Sequence, residues 1–272
     1  MKTIESTKNE RVKAWKKLHT RKGREQADSF LIEGDHLVDE ALAASVAIEA
    51  MITTRTDYET PFSGSVYYVT QAVMDELSMT ETAPGIIAVC QKKVWKQPTS
   101  LTGTYVLLDS VQDPGNVGTI IRTALALHAS GVILGKGTVD VYNDKVIRST
   151  QGALFHMPVY TGDLHQWIET FKKETVPVIG TALTNASPLK RDQTYPSFAL
   201  LVGNEGEGVQ PSLLSQATEN VYIPISQRSE SLNVGIATGI LLFFFTRVAL
   251  HIKGKLIIIE DNKITKKSND RE

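Results

Sequence analysis

The 272-residue chain has one cysteine, three tryptophans and no uncharged apolar run long enough to cross a bilayer. A single cysteine excludes an internal disulfide. Cys90 also ends an apolar run, Gly85-Ile86-Ile87-Ala88-Val89-Cys90, where a buried small hydrophobe is expected rather than a nucleophile. The longest uncharged apolar stretch, Leu232 to Phe245, is interrupted by Asn233, Gly235, Thr238 and Gly239 and closed by Arg247. It falls short of the roughly 20 residues a membrane span needs and is expected to be a buried helix. No apolar leader precedes the first charged residues, so a cytoplasmic location without a membrane partner is expected. Neither half of the chain has a G-x-G-x-x-G after its first strand, and there is no G-x-S-x-G elbow. Gly135-Lys136-Gly137-Thr138 imitates the end of a phosphate loop, but Ser130 stands where the motif requires its upstream glycine. The six histidines show no paired ligand spacing, and Asp109, Asp113 and Asp140 form no recognisable metal cluster; no metal is expected. A net charge of -1 argues against purely electrostatic binding of nucleic acid. It leaves room for a local basic face, and residues 1–25 supply one, with nine Lys/Arg against three Glu.

What is present is an alternation of strands and helices in two blocks. Residues 4–20, with Ile4, Val12, Trp15 and Leu18 among charges, predict a basic amphipathic helix. Phe30–Gly34 reads as a strand, followed by a helix capped by Asp35 that carries Leu37, Val38, Ala41 and Leu42 on one face. Strands are expected at Ile48–Thr53, Val66–Val69 and Gly85–Val89, with a helix near Gln71–Leu77. Residues 1–96 are thus expected to form a small α/β domain, with the polar, broken stretch 97–103 as the linker after it. A second α/β domain is expected over 104–250. Its strands are Tyr105–Asp109, Gly131–Leu134, Val178–Leu183, Phe198–Val202 and Val221–Ile225. A helical stripe of Val117, Ile120, Ile121, Ala124, Leu125 and His128 follows the first strand, and Arg122 lies off that stripe. Further helices are expected near 142–150, 164–173 and 211–216, and a last one from about Ser231 to Leu250. This alternation predicts a mostly parallel sheet covered on both faces. The charged tail 251–272, with Leu256-Ile257-Ile258-Ile259 in it, is assigned no function.

Three polar loops stand on this apolar scaffold. Gly203-Asn204-Glu205-Gly206-Glu207-Gly208 follows a buried strand, where open α/β sheets bind ligands. Its glycines allow close backbone approach, and Asn204 and Glu205 offer polar contacts. Taken alone, the pattern reads first as an ordinary surface turn. The loop Ile223–Asn233 joins a strand to the last helix; Ser229 or Ser231 suffices as a helix cap, whereas Asn233 at the head of an apolar helix asks for partners. Asp113-Pro114-Gly115-Asn116-Val117-Gly118 leads into Arg122, which in isolation would be an ordinary surface arginine. Together the three loops point to a cofactor pocket with an arginine supplied for chemistry.

Taken together, these segments resemble the three motifs of the SpoU (TrmH-like) RNA 2′-O-ribose methyltransferases of the SPOUT superfamily. Asn116 and Arg122 correspond to the first motif, Gly203, Asn204, Glu205 and Gly206 to the second, and Ile223-Pro224 with Ser231, Leu232, Asn233 and Val234 to the third. The similarity covers about residues 104–249. Asn9, Lys13, Arg21, Arg24 and Phe30–Gly34 carry a weaker resemblance to the L30e-like substrate-binding domain of that family. The resemblance implies an α/β knot in the C-terminal domain, with a trefoil-threaded parallel sheet, and a smaller N-terminal α/β domain. It also implies S-adenosylmethionine as cofactor, an RNA substrate (ribosomal more than transfer RNA) and a homodimer through the C-terminal domain.

The residue roles follow from that resemblance. Arg122 would stabilise the developing ribose alkoxide, since a guanidinium stays protonated and is a poor literal base. Asn116 would position the ribose or Arg122, and Glu205 would orient Arg122 within one subunit or across the dimer. Ser231 and Asn233 would fix the acceptor end of the pocket. Backbone around Gly203, Asn204, Gly206, Ile223, Ser231 and Leu232 would hold the cofactor. Lys8, Arg11, Lys13, Arg21 and Arg24 would contact RNA phosphates. The alternatives are a transfer-RNA 2′-O-methyltransferase, a methyltransferase acting on a base nitrogen, and a non-catalytic RNA-binding module of the same fold.

Overall fold

A computed structural model describes residues 2–246 apart from 57, 59, 191, 192 and 227. It also describes, for the backbone alone, three strands within 250–267. The chain divides into two compact units that interleave along the sequence. One holds residues 1–97, 112–122 and 138–159; the other holds 98–111, 123–137 and 160–272.

The first unit is built on a five-stranded mixed sheet. Its elements are β1 (Lys2–Ile4), α1 (Glu10–Lys17), α2 (Arg21–Ala27), β2 (Ser29–Glu33), α3 (Asp35–Ala43), β3 (Ile48–Thr53), β4 (Ser65–Val69), α4 (Gln71–Leu77) and β5 (Ile86–Gln91). The spatial order is β1-β4-β3-β5-β2, with β1 and β3 parallel to β4 and β5 antiparallel to both β3 and β2. Polar caps start the helices: Asn9 accepts from the Arg11 amide at 2.9 Å, and Thr20 from the Gly23 amide at 3.1 Å. Val12, Trp15 and Leu18 share one face of α1 and pack with Ile52, Tyr67, Val73, Met74 and Leu77; Trp15 meets Tyr67 edge-on at 5.2 Å.

Two expectations for this unit change. Ile4 does not begin the first helix: it is a strand residue in register with Val69, and the helix starts only at Glu10. Ile4 lies eight residues before Val12, so the two suit a common helical face in sequence, but the Asn9 cap stops the helix between them. Asp35 is not the cap of α3 either. Gly34 takes that position, and the Asp35 carboxylate pairs with the Arg55 guanidinium at 2.6 and 2.8 Å.

The second sheet has seven strands. The elements continue as β6 (Thr104–Asp109), α5 (Pro114–Ala126), β7 (Gly131–Leu134), α6 (Asp144–Thr150), β8 (Val159–Thr161), α7 (Leu164–Lys173), β9 (Val178–Thr181) and β10 (Ser187–Pro188). After them come β11 (Phe198–Gly203), α8 (Pro211–Leu214), β12 (Glu219–Tyr222) and α9 (Val234–Thr246). The order is β10-β12-β9-β11-β6-β7-β8. The registered pairs β6–β7, β6–β11, β9–β11, β9–β12 and β10–β12 are all parallel. Every residue of β6 and β11 is buried, as expected for central strands covered on both faces. Helix α7 buries Leu164, Trp167, Ile168 and Phe171, the spacing of a single apolar face.

Element boundaries also differ from those expected, as where the strand expected at Val178–Leu183 ends at Thr181. The strand expected at 221–225 is β12, Glu219–Tyr222, and the helix expected to 216 ends at Leu214. The last helix begins at Val234 rather than Ser231. Asn233 Oδ1 accepts from the Gly235 amide at 2.9 Å and from the Ile236 amide at 3.2 Å, so Asn233 is its cap, and it is exposed rather than buried. The expected extension of that helix through 247–249 lies outside the described residues. Beyond it, Leu250–Ile252 (β13), Lys255–Glu260 (β14) and Lys263–Lys267 (β15) pair as an antiparallel sheet.

Candidate active site

The central strands β6 and β11 run parallel in register, and the pairing ends at Asp109 opposite Gly203. The loops that leave these two strand ends are therefore neighbours. Asn204 shapes the second of them. Its Oδ1 accepts from the amides of Gly206 at 2.8 Å and Glu207 at 3.1 Å, and its backbone closes on Gly208 through bonds of 3.0 and 2.9 Å. Its Nδ2 donates to the Ser110 carbonyl at 2.9 Å, which joins this loop to the one after β6. The side chain of Asn204 thus builds the loop. Glu205, Gly206, Glu207 and Gly208 are exposed around it.

Asp109 locks the same edge from below. It is 2% exposed, and its carboxylate accepts from the Gln210 backbone amide and from Gln210 Nε2, each at 2.8 Å. A buried carboxylate held by two donors fixes the exit of the 203–208 loop. In the sequence Asp109 suggests only a metal ligand, and this role is not apparent there. The signal was an acidic residue closing an otherwise apolar strand.

The loop after β6 leads directly into α5. Asp113 caps that helix, its Oδ1 accepting from the Asn116 amide at 2.8 Å. The Asn116 residue is buried, at 8% exposure. Val117, Ile120, Ile121 and Ala124 are fully buried, and Arg122 is exposed on the opposite face of the helix. Gly118 serves packing: a Cβ there would stand 2.3 Å from the Ser149 Cβ and 2.9 Å from the Val146 carbonyl, so only glycine lets α5 approach α6 this closely. In the third loop, Ile223 and Leu232 are half-buried and Ser231 is exposed, its carbonyl accepting from Ser229 Oγ at 3.2 Å.

The expected RNA-contacting residues divide. Lys8, Arg11, Lys13 and Arg21 are exposed. Arg11 lies over the Tyr67 ring at 5.3 Å, Lys13 pairs with Glu10 at 2.7 Å, and Arg21 pairs with Glu25 at 2.8 Å. Arg24 is a correction. It is 5% exposed, and its guanidinium donates to Asp140 Oδ2 at 2.9 and 2.6 Å and to the carbonyls of Leu18 and His19 at 2.9 and 3.1 Å. A buried guanidinium with four of its five N–H donors engaged is not placed to meet a phosphate. Asp140 lies 116 residues further along the chain, which is why the sequence alone put Arg24 with its exposed neighbours.

A cofactor able to use this edge needs open backbone and hydrogen-bonding groups beyond the strand ends. Gly206 has only Asn204 Oδ1, at 3.5 Å, near the position of a Cβ, and Gly208 has nothing within 4 Å. The loop is thus ordered from within and open on its outer side, which fits a ligand that reads backbone. Among the described residues no helix is long and apolar enough to cross a membrane.

Comparison with known proteins agrees with these features. The model of the SpoU rRNA Methylase family matches residues 103–243, and that of the MRM3-like substrate binding domain matches residues 9–88. The chain is 43% identical over 246 residues to the 23S rRNA (guanosine(2553)-2′-O)-methyltransferase RlmP of Bacillus subtilis, covering 89% of this chain and 98% of that one. The AdoMet-bound rRNA methyltransferase from Sinorhizobium meliloti superposes with a TM-score of 0.77 at 31% identity, covering 89% of this chain and 96% of that one. The SpoU methyltransferase AviRb from Streptomyces viridochromogenes, solved with AdoMet, gives a TM-score of 0.78 at 25% identity, over 87% and 96% of the two chains.

Proposed function

From the premise that this chain belongs to the SpoU rRNA methylase family, we infer an S-adenosylmethionine-dependent enzyme that methylates a ribose 2′-hydroxyl of ribosomal RNA. The observation that carries this reading is the strand-end edge itself, with Asp109 and Gly203 in register and Asn204 joined to Ser110, inside the segment that matches the family. The near full-length similarity to a 23S rRNA guanosine enzyme supports a target in 23S rRNA.

S-adenosylmethionine supplies, when bound, an electrophilic methyl group on a sulfonium. The residues suited to hold it are Gly203, Asn204 and the exposed Gly206 of the loop after β11, with Ile223, Ser231 and Leu232 of the third loop. The protein's own task is to make a weakly acidic hydroxyl nucleophilic. Arg122 keeps its proton at any working pH, so it acts by stabilising the oxyanion as it forms, and an adjacent RNA phosphate collects the proton. A guanidinium has the planar fork to hold hydroxyl and phosphate together. Asn116 positions the ribose or Arg122, Glu205 orients Arg122 from the same subunit or from the partner subunit, and Ser231 and Asn233 hold the acceptor nucleotide. Asn233 also keeps α9 in place as its cap, which ties the third loop to the helix behind it.

The exposed cations of the first unit, Lys8, Arg11, Lys13 and Arg21, serve as phosphate contacts for the RNA. Residues 1–96 act as the substrate-binding domain and 104–250 as the catalytic domain, with the trefoil threading the family resemblance implies. A homodimer is supported by α9, on which Ile236, Ile240 and Phe243 are 54%, 39% and 47% exposed at the spacing of one helical face. The test of the activity is to map 2′-O-methyl groups in RNA from a deletion strain, with and without the restored protein. One 23S rRNA site should disappear and return. Unchanged rRNA with an altered transfer RNA would contradict the ribosomal assignment.

A further inference from the structure

Resting on the methyltransferase reading, we propose that Lys136 is a substrate-positioning residue that holds an RNA phosphate beside the target ribose. Lys136 lies just past the carboxyl end of β7, which runs parallel to β6 in register up to the Leu108–Leu134 pair. It therefore stands on the same edge as Asp109, Ser110 and the 203–208 loop.

The turn that carries it is fixed by its neighbours. The Gly135 amide donates to the Leu108 carbonyl at 2.9 Å, and Ser110 Oγ donates to the Lys136 carbonyl at 3.0 Å. Gly137 has φ +88°, and a Cβ on it would stand 2.7 Å from Ser110 Oγ, so glycine is required by both conformation and space. Ser110, itself at φ +56°, thus joins three strand-end loops: its hydroxyl holds the β7 turn, and its carbonyl receives Asn204 Nδ2 from the β11 loop. The backbone of Lys136 is anchored while its side chain is exposed, and among the described residues no carboxylate pairs with it.

An anchored, unpaired ammonium at the ligand-binding edge of a parallel sheet is placed to meet an anion. The substrate brings one on each side of the ribose, and a lysine meets phosphate as a compact point charge. This also explains the partial likeness of Gly135-Lys136-Gly137-Thr138 to a phosphate loop: the glycines shape the turn and the lysine faces an anion, without a nucleotide cradle. The S-adenosylmethionine carboxylate is the other anion such a charge would meet, and affinity measurements separate the two.

The experiment compares the full-length protein with Lys136→Ala, Lys136→Glu and Lys136→Arg, using unmethylated 23S rRNA transcript and, separately, S-adenosylmethionine. In Lys136→Ala the KM for RNA should rise roughly fivefold, and the slope of log affinity against log salt should fall by about one. Lys136→Glu should be worse and Lys136→Arg close to the wild type, with S-adenosylmethionine affinity by calorimetry the same in all four. An unchanged salt slope in Lys136→Ala overturns the proposal, and so does a matching loss of S-adenosylmethionine affinity. Failure of the wild type itself to methylate the transcript would count against the activity, while the salt slope of binding would still decide the role of Lys136.

Discussion

Asn204 Nδ2 donates to the backbone carbonyl of Ser110 at 2.9 Å, so one side chain couples the loops that leave β11 and β6. With its Oδ1 holding the amides of Gly206 and Glu207, the amide group serves both loops at once. Asn204→Ala should lower unfolding stability by about 1–2 kcal/mol, the usual cost of leaving such groups without partners. It should also weaken S-adenosylmethionine binding. Asn204→Asp should not rescue, since it keeps the acceptor but turns a carboxylate oxygen towards a carbonyl. Urea unfolding beside calorimetry checks both; wild-type cofactor affinity in Asn204→Ala would separate loop order from binding.

Arg24 and Asp140 form an ion pair in which the guanidinium is buried and the carboxylate half-buried, with side chains 6% and 17% exposed. Removing one partner leaves the other charge at least partly buried, so Arg24→Ala should destabilise the fold by about 3 kcal/mol or more. Its RNA affinity, measured where the variant is still folded, should keep the wild-type salt slope. Lys8→Ala or Arg11→Ala should do the reverse, with little change in stability and a slope smaller by about one for each phosphate no longer neutralised. A reduced slope in folded Arg24→Ala would return that residue to the RNA surface.

Much of this was legible in the sequence where chemistry and periodicity agreed. Strands β6 and β11 are uniformly apolar runs bounded by polar, glycine-bearing loops, and α4 and α7 have capped ends and one clean apolar face. The site loops were visible because glycine, asparagine and charge interrupt buried strands at the ends where ligands bind. What was missed depends on partners distant in the chain. Arg24 finds Asp140, Asp109 finds Gln210, and Lys136 is anchored through Ser110; no local pattern announces these pairs. The start of α9 was misjudged because Ser231 and Asn233 are both good caps, and only the bonds to Gly235 and Ile236 decide between them.

Helix α9 makes a further prediction. Its inner side is anchored by Phe245 against Phe198 and Tyr195, at 5.5 and 5.4 Å between ring centres, while Ile236, Ile240 and Phe243 stay exposed. If a second copy covers that stripe, Ile240→Glu with Phe243→Glu should shift the protein from dimer to monomer at micromolar concentration in sedimentation equilibrium. The fold should survive, because the altered positions face outward. A wild-type protein that is already monomeric would contradict the dimer.

The proposed mechanism places Arg122 as the group that stabilises the ribose oxyanion. Its most direct test is single-turnover methylation of unmethylated 23S rRNA transcript by Arg122→Ala, beside S-adenosylmethionine binding by calorimetry. Removing a charge aimed at a developing oxyanion should cost about 3 kcal/mol, a loss of at least roughly a hundredfold in rate. Cofactor affinity should stay near the wild-type value, because backbone of the other loops holds it, and Arg122→Lys should recover little of the rate for want of the planar fork. Near-normal turnover in Arg122→Ala would contradict the mechanism, and an equal loss of cofactor binding would make Arg122 a support of the pocket instead.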